Sequence, residues 1–329
     1  MASSANNIPY THFVCWYEYP NYRLVKVMRF VQIQTVSYCN AKCIICPHKD
    51  SWMKHHPGSI TDSLYKKILT ELKEWEDEIN TGKMCPYLMN EPFCDPKILD
   101  RIKLMREMFP NTVIEVSTNA ELMTPDKSKA LIDILAGTKH DIWISRHGIT
   151  PADVRRNMQI DGEKSLENII YFLQEADGRM NVAIKGFLYS FDQKVVLSKP
   201  REFERYWLRL FKEHNIKDEK IRIRANAFHD RSGNLKIPKW QKPAIVRHIG
   251  PKNPFYCPRV DQWIHILWNG DVILCCNDYQ HETMFGNVRN QTIKEILGSD
   301  SYKRIRDMVL GRVKTPKDFI CNRCTRIGG

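Results

Sequence analysis

No apolar run in the 329-residue sequence approaches the roughly 20 residues that a membrane-spanning helix needs. The N-terminal segment MASSANNIPYTHFVCWYEY also lacks the basic stretch followed by an apolar one that a secretory signal has. We therefore expect a cytoplasmic protein with no membrane partner. With 43% apolar and 27% charged residues, the composition excludes a disordered tail protein, a coiled coil and a collagen-like repeat.

Acidic residues are scarce relative to basic ones, and the formal net charge is +12. This surplus favours an anionic partner: a nucleotide, a phosphate, a carboxylate substrate, or an acidic electron donor such as flavodoxin or ferredoxin. Charge alone does not choose among them. Because no nucleic-acid-binding motif accompanies the charge, we do not expect nucleic acid as the partner.

Eleven cysteines are a poor fit to a disulfide framework, since cytosolic thiols stay reduced and an odd number cannot all pair. Those that occur in spaced groups are therefore candidate metal ligands. The three isolated ones, Cys15, Cys85 and Cys94, are expected to be buried apolar thiols.

Short β-rich runs alternate with amphipathic helical stretches from residue 29 to residue 228. Six such repeats predict parallel strands joined by crossover helices, in a doubly wound sheet or a full or partial α/β barrel. In both architectures ligands bind at the C-terminal ends of the strands. The predicted strands are Arg29–Thr35, Pro86–Met89, Val113–Ser117, Asp141–Ser145, Asn181–Leu188 and Lys220–Ala225.

Helix start signals stand between these runs. Each is a capping side chain, in three cases followed by proline, ahead of apolar residues three and four apart. They are Thr61, Asp95-Pro96, Thr124-Pro125 and Thr150-Pro151, the last followed by a stripe from Leu166 to Leu173, and a further helix is expected over Phe203–Phe211.

The alternation ends near residue 228. Residues 229–256 contain four prolines, two glycines and no clear period, so residues 229–250 are predicted to be a linker, whose basic residues around Trp240 are most simply solvated. Residues 251–329 form a predicted smaller domain that opens with WIHILWNGDVIL, where Asn269-Gly270 between two apolar runs predicts a β-hairpin. Residues 1–28 are an N-terminal extension.

Three cysteines follow the first predicted strand in a C-x3-C-x2-C array: Cys39, Cys43 and Cys46. Three thiolates this close in sequence can bind three irons of a 4Fe-4S cluster and leave the fourth iron open for reaction. The alternative is a zinc site with a distant fourth ligand such as His48 or His55.

This array at the end of the first strand of a six-unit β/α chain resembles the radical S-adenosylmethionine (radical SAM) superfamily. The resemblance implies an α/β fold, a partial (β/α)6 TIM-like barrel. It also implies that S-adenosylmethionine chelates the open iron and that its reductive cleavage gives a 5′-deoxyadenosyl radical, which removes a hydrogen atom from substrate carbon.

The resemblance extends to polar residues at other strand ends. The segment around Asn90 and Glu91 looks like the family's Gly-Gly-Glu segment, which holds the methionine amino group, although Met89-Asn90 replaces the two glycines. Asn119, Ser145 and Arg146 stand where the family places groups that bind the ribose and carboxylate.

The C-terminal cysteines resemble the SPASM domain in its shortened Twitch form, which binds one auxiliary 4Fe-4S cluster. The matching residues are Cys257, Cys275, Cys321 and Cys324, with Gly270 between the first two. A structural zinc site is the alternative. Cys276 is extra: as the neighbour of Cys275 on a strand it is predicted to point to the opposite face, where it is a structural thiol or a hydrogen-atom donor to a substrate radical.

The resemblance predicts a radical SAM oxidoreductase or epimerase for a small polar substrate, neutral or anionic, of the sugar, aminocyclitol or aminoglycoside type. A peptide maturase is the second hypothesis, which the short segment before the first strand disfavours, since those enzymes commonly carry an N-terminal peptide-recognition domain. A zinc-stabilised RNA-binding protein is the hypothesis from another class.

Overall fold

A computed structural model of the chain describes residues 28–137, 139–190, 196–235 and 257–324. Within these ranges the strands are β1 (Phe30–Ile33), β2 (Lys83–Cys85), β3 (Val113–Thr118), β4 (Asp141–Ser145), β5 (Asn181–Ser190), β6 (Ile221–Phe228), β7 (Trp263–Ile266), β8 (Asp271–Ile273) and β9 (Met284–Asn287). The helices are α1 (Trp52–His55), α2 (Asp62–Leu72), α3 (Glu76–Asn80), α4 (Ile98–Met108), α5 (Pro125–Leu135), α6 (Pro151–Met158), α7 (Gly162–Ala176), α8 (Pro200–Glu213), α9 (Arg259–Gln262), α10 (Ile293–Gly298), α11 (Asp300–Val309) and α12 (Ile320–Arg323).

The described strands form one sheet in the order β6-β5-β4-β3-β2-β1-β7-β8-β9. Strands β1 to β6 pair in parallel, each with the next along the chain, and β7 pairs in parallel with β1. The antiparallel pairs β7–β8 and β8–β9 then extend the sheet. The predicted α/β class with a partial barrel is confirmed. The C-terminal strands continue the same sheet, and the predicted linker lies mostly outside the described residues.

The second strand lies earlier than predicted. Lys83, Met84 and Cys85 pair with β1, whereas the prediction placed the strand at Pro86–Met89. The strand ends at Pro86 because proline has no amide hydrogen to donate to the ladder. Leu88 and Met89 are buried in the loop that follows, which made them look like strand residues.

Helix starts follow the capping signals with two differences. Thr61 caps α2 by accepting from the Leu64 amide at 3.2 Å, and Thr150 forms a capping box with Asp153 at the start of α6. The stripe from Leu166 belongs to a separate helix, α7, which Asp161 caps. Helix α4 starts at Ile98, after the predicted Asp95-Pro96, because the Asp95 carboxylate accepts from the Lys97 amide at 2.9 Å.

Side chains alternate between the two faces of the parallel strands. Apolar residues such as Ile33, Ile142 and Ile144 face the helices and join the main hydrophobic core. The residues between them face the other way and form what we call the barrel interior: Gln32, Lys83, Glu115, Trp143, Ser145, Lys185 and His265. The interior is therefore polar and aromatic, unlike the helix-facing core.

The predicted β-hairpin at Asn269-Gly270 is confirmed by the antiparallel pairing of β7 with β8. Gly270 has φ of +94°, a conformation that L-residues avoid, and its amide donates to the Leu267 carbonyl at 2.9 Å. A Cβ at this position would lie 2.8 Å from Oδ1 of Asn287. The turn therefore requires glycine.

We expect Gly270→Ala to lower the free energy of unfolding by about 1–2 kcal/mol, because the new side chain is strained in this conformation. The measurement is thermal or denaturant unfolding of the purified protein. Gly298→Ala is the matched control, since nothing lies within 4 Å of a Cβ there and alanine favours the helix. Equal stability of both variants would contradict the account of the turn.

Candidate metal centres and cofactor site

The loop after β1 holds the first three cysteines against α6. Backbone amides of Lys42 and Ile44 donate to the carbonyls of Met158 and Asn157, each at 2.9 Å, and the Cys46 amide donates to the Cys43 carbonyl at 3.0 Å. Cys39 and Cys43 also pack on a small apolar cluster formed by Ala41, Val154, Met158 and Ile160. The array is therefore fixed by the fold and only half-buried.

Burial raises the pKa of the Cys39 and Cys43 thiols, and the charge of neighbouring thiols in the array raises both further. Such thiols become thiolates when a cationic centre binds them, which fits an iron-sulfur cluster. Across the described ranges, no three His, Cys, Asp or Glu side chains are close enough to hold a single metal ion. His48, a candidate fourth zinc ligand, has its Nε2 2.9 Å from the Ser37 carbonyl oxygen.

Glu91 lies beside this array, and its charge contributes to the raised pKa of Cys39. Its carboxylate accepts from the Thr118 hydroxyl at 2.7 Å and from the amides of Asn119 at 2.8 Å and Phe93 at 3.2 Å. A carboxylate has about four lone-pair sites, so one is left for a ligand. Burial raises the pKa of Glu91 to about 7, against the effect of these three hydrogen bonds.

Asn119 is brought to the same place by its strand. Its side chain donates to Oδ1 of Asn40 at 2.9 Å, and Asn40 in turn donates to Glu121. Asn40 thus ties the cysteine loop to the end of β3. The sequence analysis missed Asn40, although its position directly after Cys39 was a usable signal.

Asn90, next to Glu91 in the chain, carries a buried donor. Its Oδ1 accepts from the Leu88 amide at 3.0 Å, while its buried Nδ2 has no hydrogen-bond partner in the described part of the chain. A buried donor without an acceptor is costly, so the group is suited to a ligand oxygen. Asn90, Glu91 and Asn119 are therefore brought together beside Cys39.

Ser145 is the last residue of β4 and Arg146 follows it, and their side chains lie on opposite faces of the sheet. Ser145 faces the barrel interior, half-buried. The fully buried Arg146 instead lies over the Trp207 ring of α8, 5.7 Å from its centroid, and donates to the Gly162 carbonyl at 3.5 Å. Burial lowers the pKa of Arg146 to about 10. The structure thus places Arg146 on the helix side of the sheet, apart from Glu91 and Asn119, because side chains alternate along a strand.

The four C-terminal cysteines also gather. The Cys324 amide donates to the Cys321 carbonyl at 3.3 Å in the turn of α12, and the charges of Cys257 and Cys324 raise the pKa of Cys321 beyond the effect of burial. Arg259 lies among them: its pKa is raised by the charges of Cys276, Cys275, Cys257 and Cys324. Arg259 is therefore close to three of the four predicted ligands, Cys257, Cys275 and Cys324.

Cys276 does not point away from this group as predicted. The prediction assumed a strand through both cysteines, but β8 ends at Ile273 and Cys276 lies in the turn beyond it. Its Sγ accepts from Nη1 of Arg259 at 2.9 Å. Its hydrogen bond with Cys275, together with the Arg259 charge, lowers the pKa of Cys276 to about 5 against the effect of burial.

Tyr279 links the two cysteine groups, which the sequence analysis missed. Its hydroxyl lies 3.8 Å from Sγ of Cys46, and its carbonyl accepts from the Trp52 amide at 2.9 Å. Trp52 stacks on His281, with ring centroids 4.2 Å apart. The loop after β8 therefore packs directly on the N-terminal cysteine loop.

The two remaining described cysteines, Cys85 and Cys94, make their side-chain contacts outside these two groups. Cys85 is buried, as predicted, with its thiol 3.8 Å from the Glu115 carboxylate, and Cys94 is only half-buried, with its thiol 3.9 Å from Oδ1 of Asn40. Cys15 and the basic residues around Trp240 lie outside the described residues. No helix of the described chain has the length and apolar character that crossing a bilayer requires.

Comparison with known proteins confirms the C-terminal prediction. Residues 257–325 match the SPASM family, an iron-sulfur cluster-binding domain. This segment is therefore similar to a SPASM domain, and the match favours iron-sulfur over zinc. Among curated proteins, none matches the chain.

Solved structures share the whole fold at low identity. BtrN in complex with AdoMet and 2-DOIA superposes with a TM-score of 0.58 at 15% identity, covering 92% of this chain and 95% of BtrN. SuiB of Streptococcus suis bound to precursor peptide SuiA gives a TM-score of 0.60 at 15% identity, covering 86% of this chain and 67% of SuiB. The partial barrel followed by a SPASM segment is thus the architecture that the radical SAM resemblance implies.

Proposed function

We propose that this chain is a radical SAM enzyme with one auxiliary cluster. One observation carries the proposal. Glu91 and Asn119, at the ends of adjacent strands, lie beside the half-buried array of Cys39, Cys43 and Cys46. Two features support it further: the SPASM match at residues 257–325, and the shared fold with BtrN and with SuiB, which have been solved with AdoMet bound.

The residues present fit the two clusters and the cofactor. Cys39, Cys43 and Cys46 would hold three irons of the first cluster, and the four C-terminal cysteines would hold the second. When bound, these groups supply a 5′-deoxyadenosyl radical for hydrogen-atom removal and an acceptor for the remaining electron. Glu91 offers its spare lone pair to an N–H donor of the cofactor, and Asn90 and Asn119 offer amide groups to its oxygens.

We propose oxidation of the substrate over its epimerisation. Epimerisation needs a thiol that gives a hydrogen atom back, and Cys276 was the candidate. The Arg259 guanidinium 2.9 Å from Cys276 favours the thiolate, which has no hydrogen to give. A small polar substrate is favoured because BtrN, solved with 2-DOIA, matches along nearly its full length, whereas a third of SuiB lies outside the match.

Anaerobic reconstitution with iron and sulfide tests the class. About eight irons per chain are expected from two 4Fe-4S clusters, together with 5′-deoxyadenosine on addition of S-adenosylmethionine and dithionite. Two zincs and no cleavage would sink the proposal in favour of a zinc-stabilised binding protein. Once a substrate is known, turnover in deuterated water decides the outcome: solvent deuterium in a product at the substrate oxidation level, lost in Cys276→Ala, would establish epimerisation instead.

Tyr279→Phe is expected to lower the reduction potential of the first cluster. An iron-bound Cys46 has no hydrogen, so the Tyr279 hydroxyl must be the donor, and hydrogen bonds to ligand sulfur stabilise the reduced, more negative cluster. The measurement is a redox titration followed by EPR. Tyr206→Phe, on α8, is the control. An unchanged potential in Tyr279→Phe would show that the hydroxyl does not act on Cys46.

A further inference from the structure

The barrel interior carries a half-buried lysine, Lys185, that has no ion-pair partner among the described residues. Lys83 pairs with Glu115, whose carboxylate also accepts from the Tyr87 hydroxyl. Asp141 pairs with Arg222 at 3.1 Å. Lys185, the other interior lysine, makes no ion pair or side-chain hydrogen bond with any described residue and contacts the Trp143 ring. Burial lowers the pKa of Lys185 to about 7, against the effect of the Glu115 and Asp141 charges.

The same wall holds a second unsatisfied donor. The indole Nε1 of Trp143 is buried and has no hydrogen-bond partner among the described residues. Lys83 also lies over this ring, 4.5 Å from its centroid. The two lysines share one aromatic ring, and of the two Lys185 has no ion-pair partner among the described residues, so an anionic acceptor would satisfy both Lys185 and the Trp143 N–H.

Further polar atoms face the interior from the opposite wall. Gln32 on β1 and His265 on β7 are paired in register, and Oε1 of Gln32 and both ring nitrogens of His265 are buried without partners in the described structure. Burial, with the charge of Arg259 nearby, lowers the pKa of His265 well below its ordinary value, so its ring is neutral and offers one donor and one acceptor. These groups suit hydroxyl groups on a ligand.

The position of Lys185 relates this wall to the predicted cofactor site. Lys185 on β5 is the register partner of Ser145 at the end of β4, so both side chains leave the sheet on the same face and adjacent to each other. A ligand bound by Lys185 would therefore lie beside Ser145, the residue predicted to contact the cofactor.

We propose that Lys185 and the Trp143 indole N–H bind the carboxylate or phosphate group of a small hydroxylated substrate inside the barrel. This inference rests on the proposed function, since it names the substrate class of the same site. The bound anion favours protonated Lys185, which supplies the charge. Trp143 supplies a directed hydrogen bond, and Gln32 with His265 contact the hydroxyl groups. The neighbouring Lys83–Glu115 pair holds the wall in place.

Calorimetric titration of the reconstituted full-length protein tests the proposal without radical chemistry. The probes are gluconate, glucose 6-phosphate and neutral glucose, so that carboxylate and phosphate sources are told apart. We expect one or both anions to bind at least about tenfold more tightly than glucose, because a charged hydrogen bond in a partly buried site is worth that much. Anions that bind no better than glucose would overturn the proposal.

Variants assign the binding to this residue. Lys185→Met should weaken anion binding at least about tenfold, and Lys185→Arg should restore most of it. Lys199→Met, which removes an exposed lysine at the start of α8, should leave binding unchanged. Equal binding by Lys185→Met and the wild type would refute the role of Lys185. Substrate-free formation of 5′-deoxyadenosine by the wild type is measured separately, so failure of the proposed function is distinguishable from failure of this inference.

Discussion

Cys43→Ala should retain about four of the eight irons and form no 5′-deoxyadenosine. The reason is that Cys43 is the central thiol of the first array, and two remaining thiolates do not hold a cluster that needs three. The second cluster should persist, because its proposed ligands all lie in residues 257–325, the segment that matches the SPASM family. Iron analysis gives the iron content of the variant. Chromatography after dithionite reduction gives the amount of 5′-deoxyadenosine formed.

The matched control is Cys94→Ser. Cys94 is half-buried near the same loop, yet its thiol contacts only the Asn40 amide oxygen at 3.9 Å, a contact that serine can keep. This variant should keep its full iron content and its cleavage activity. Loss of about four irons in Cys94→Ser with none lost in Cys43→Ala would mean that the ligand assignment is wrong.

Glu91→Gln should weaken binding of S-adenosylmethionine to the reconstituted enzyme about 10- to 100-fold. The carboxylate already accepts from Thr118, Asn119 and Phe93, and its remaining lone pair is available to the cofactor. Glutamine replaces one acceptor oxygen with an NH2 group. This group is itself a donor and would face the donors that now bond the carboxylate. Equilibrium binding at pH 8 measures the loss, and Glu202→Gln on the exposed side of α8 is the control.

The pH dependence of binding follows from the same residue. Burial raises the pKa of Glu91 to about 7, so the ligand-free carboxyl is largely protonated below that pH. If binding requires the carboxylate, affinity falls by up to tenfold for each pH unit below 7 and changes little from this group above it. Glu91→Gln should lose this part of the dependence. A wild-type affinity that is flat from pH 6 to 8 would contradict the role of Glu91.

Local chemistry made much of the fold predictable. Thr61 and Thr150 are caps whose side chains bond backbone amides within three residues, and Asn269-Gly270 specifies its turn by conformation alone. The second strand was misplaced because Leu88 and Met89 are apolar for a different reason: they fill a buried loop. Short apolar runs do not by themselves separate strand from buried loop.

The site was predictable only in part, for a similar reason. Cysteine spacing identified both thiol groups, since ligand geometry constrains spacing along the chain. Asn40 and Tyr279 escaped because their roles depend on partners 79 and 233 residues away. Cys276 was placed on the wrong side because β8 ends at Ile273, three residues earlier, so strand alternation does not apply to it.

The central claim is that the first cluster has one iron that binds S-adenosylmethionine. Electron-nuclear double resonance of the dithionite-reduced enzyme with cofactor carrying 15N in its amino group tests it most directly. The account predicts a 15N coupling to the cluster that is present in wild type and absent in Cys43→Ala. A fully loaded cluster without any 15N coupling would contradict it.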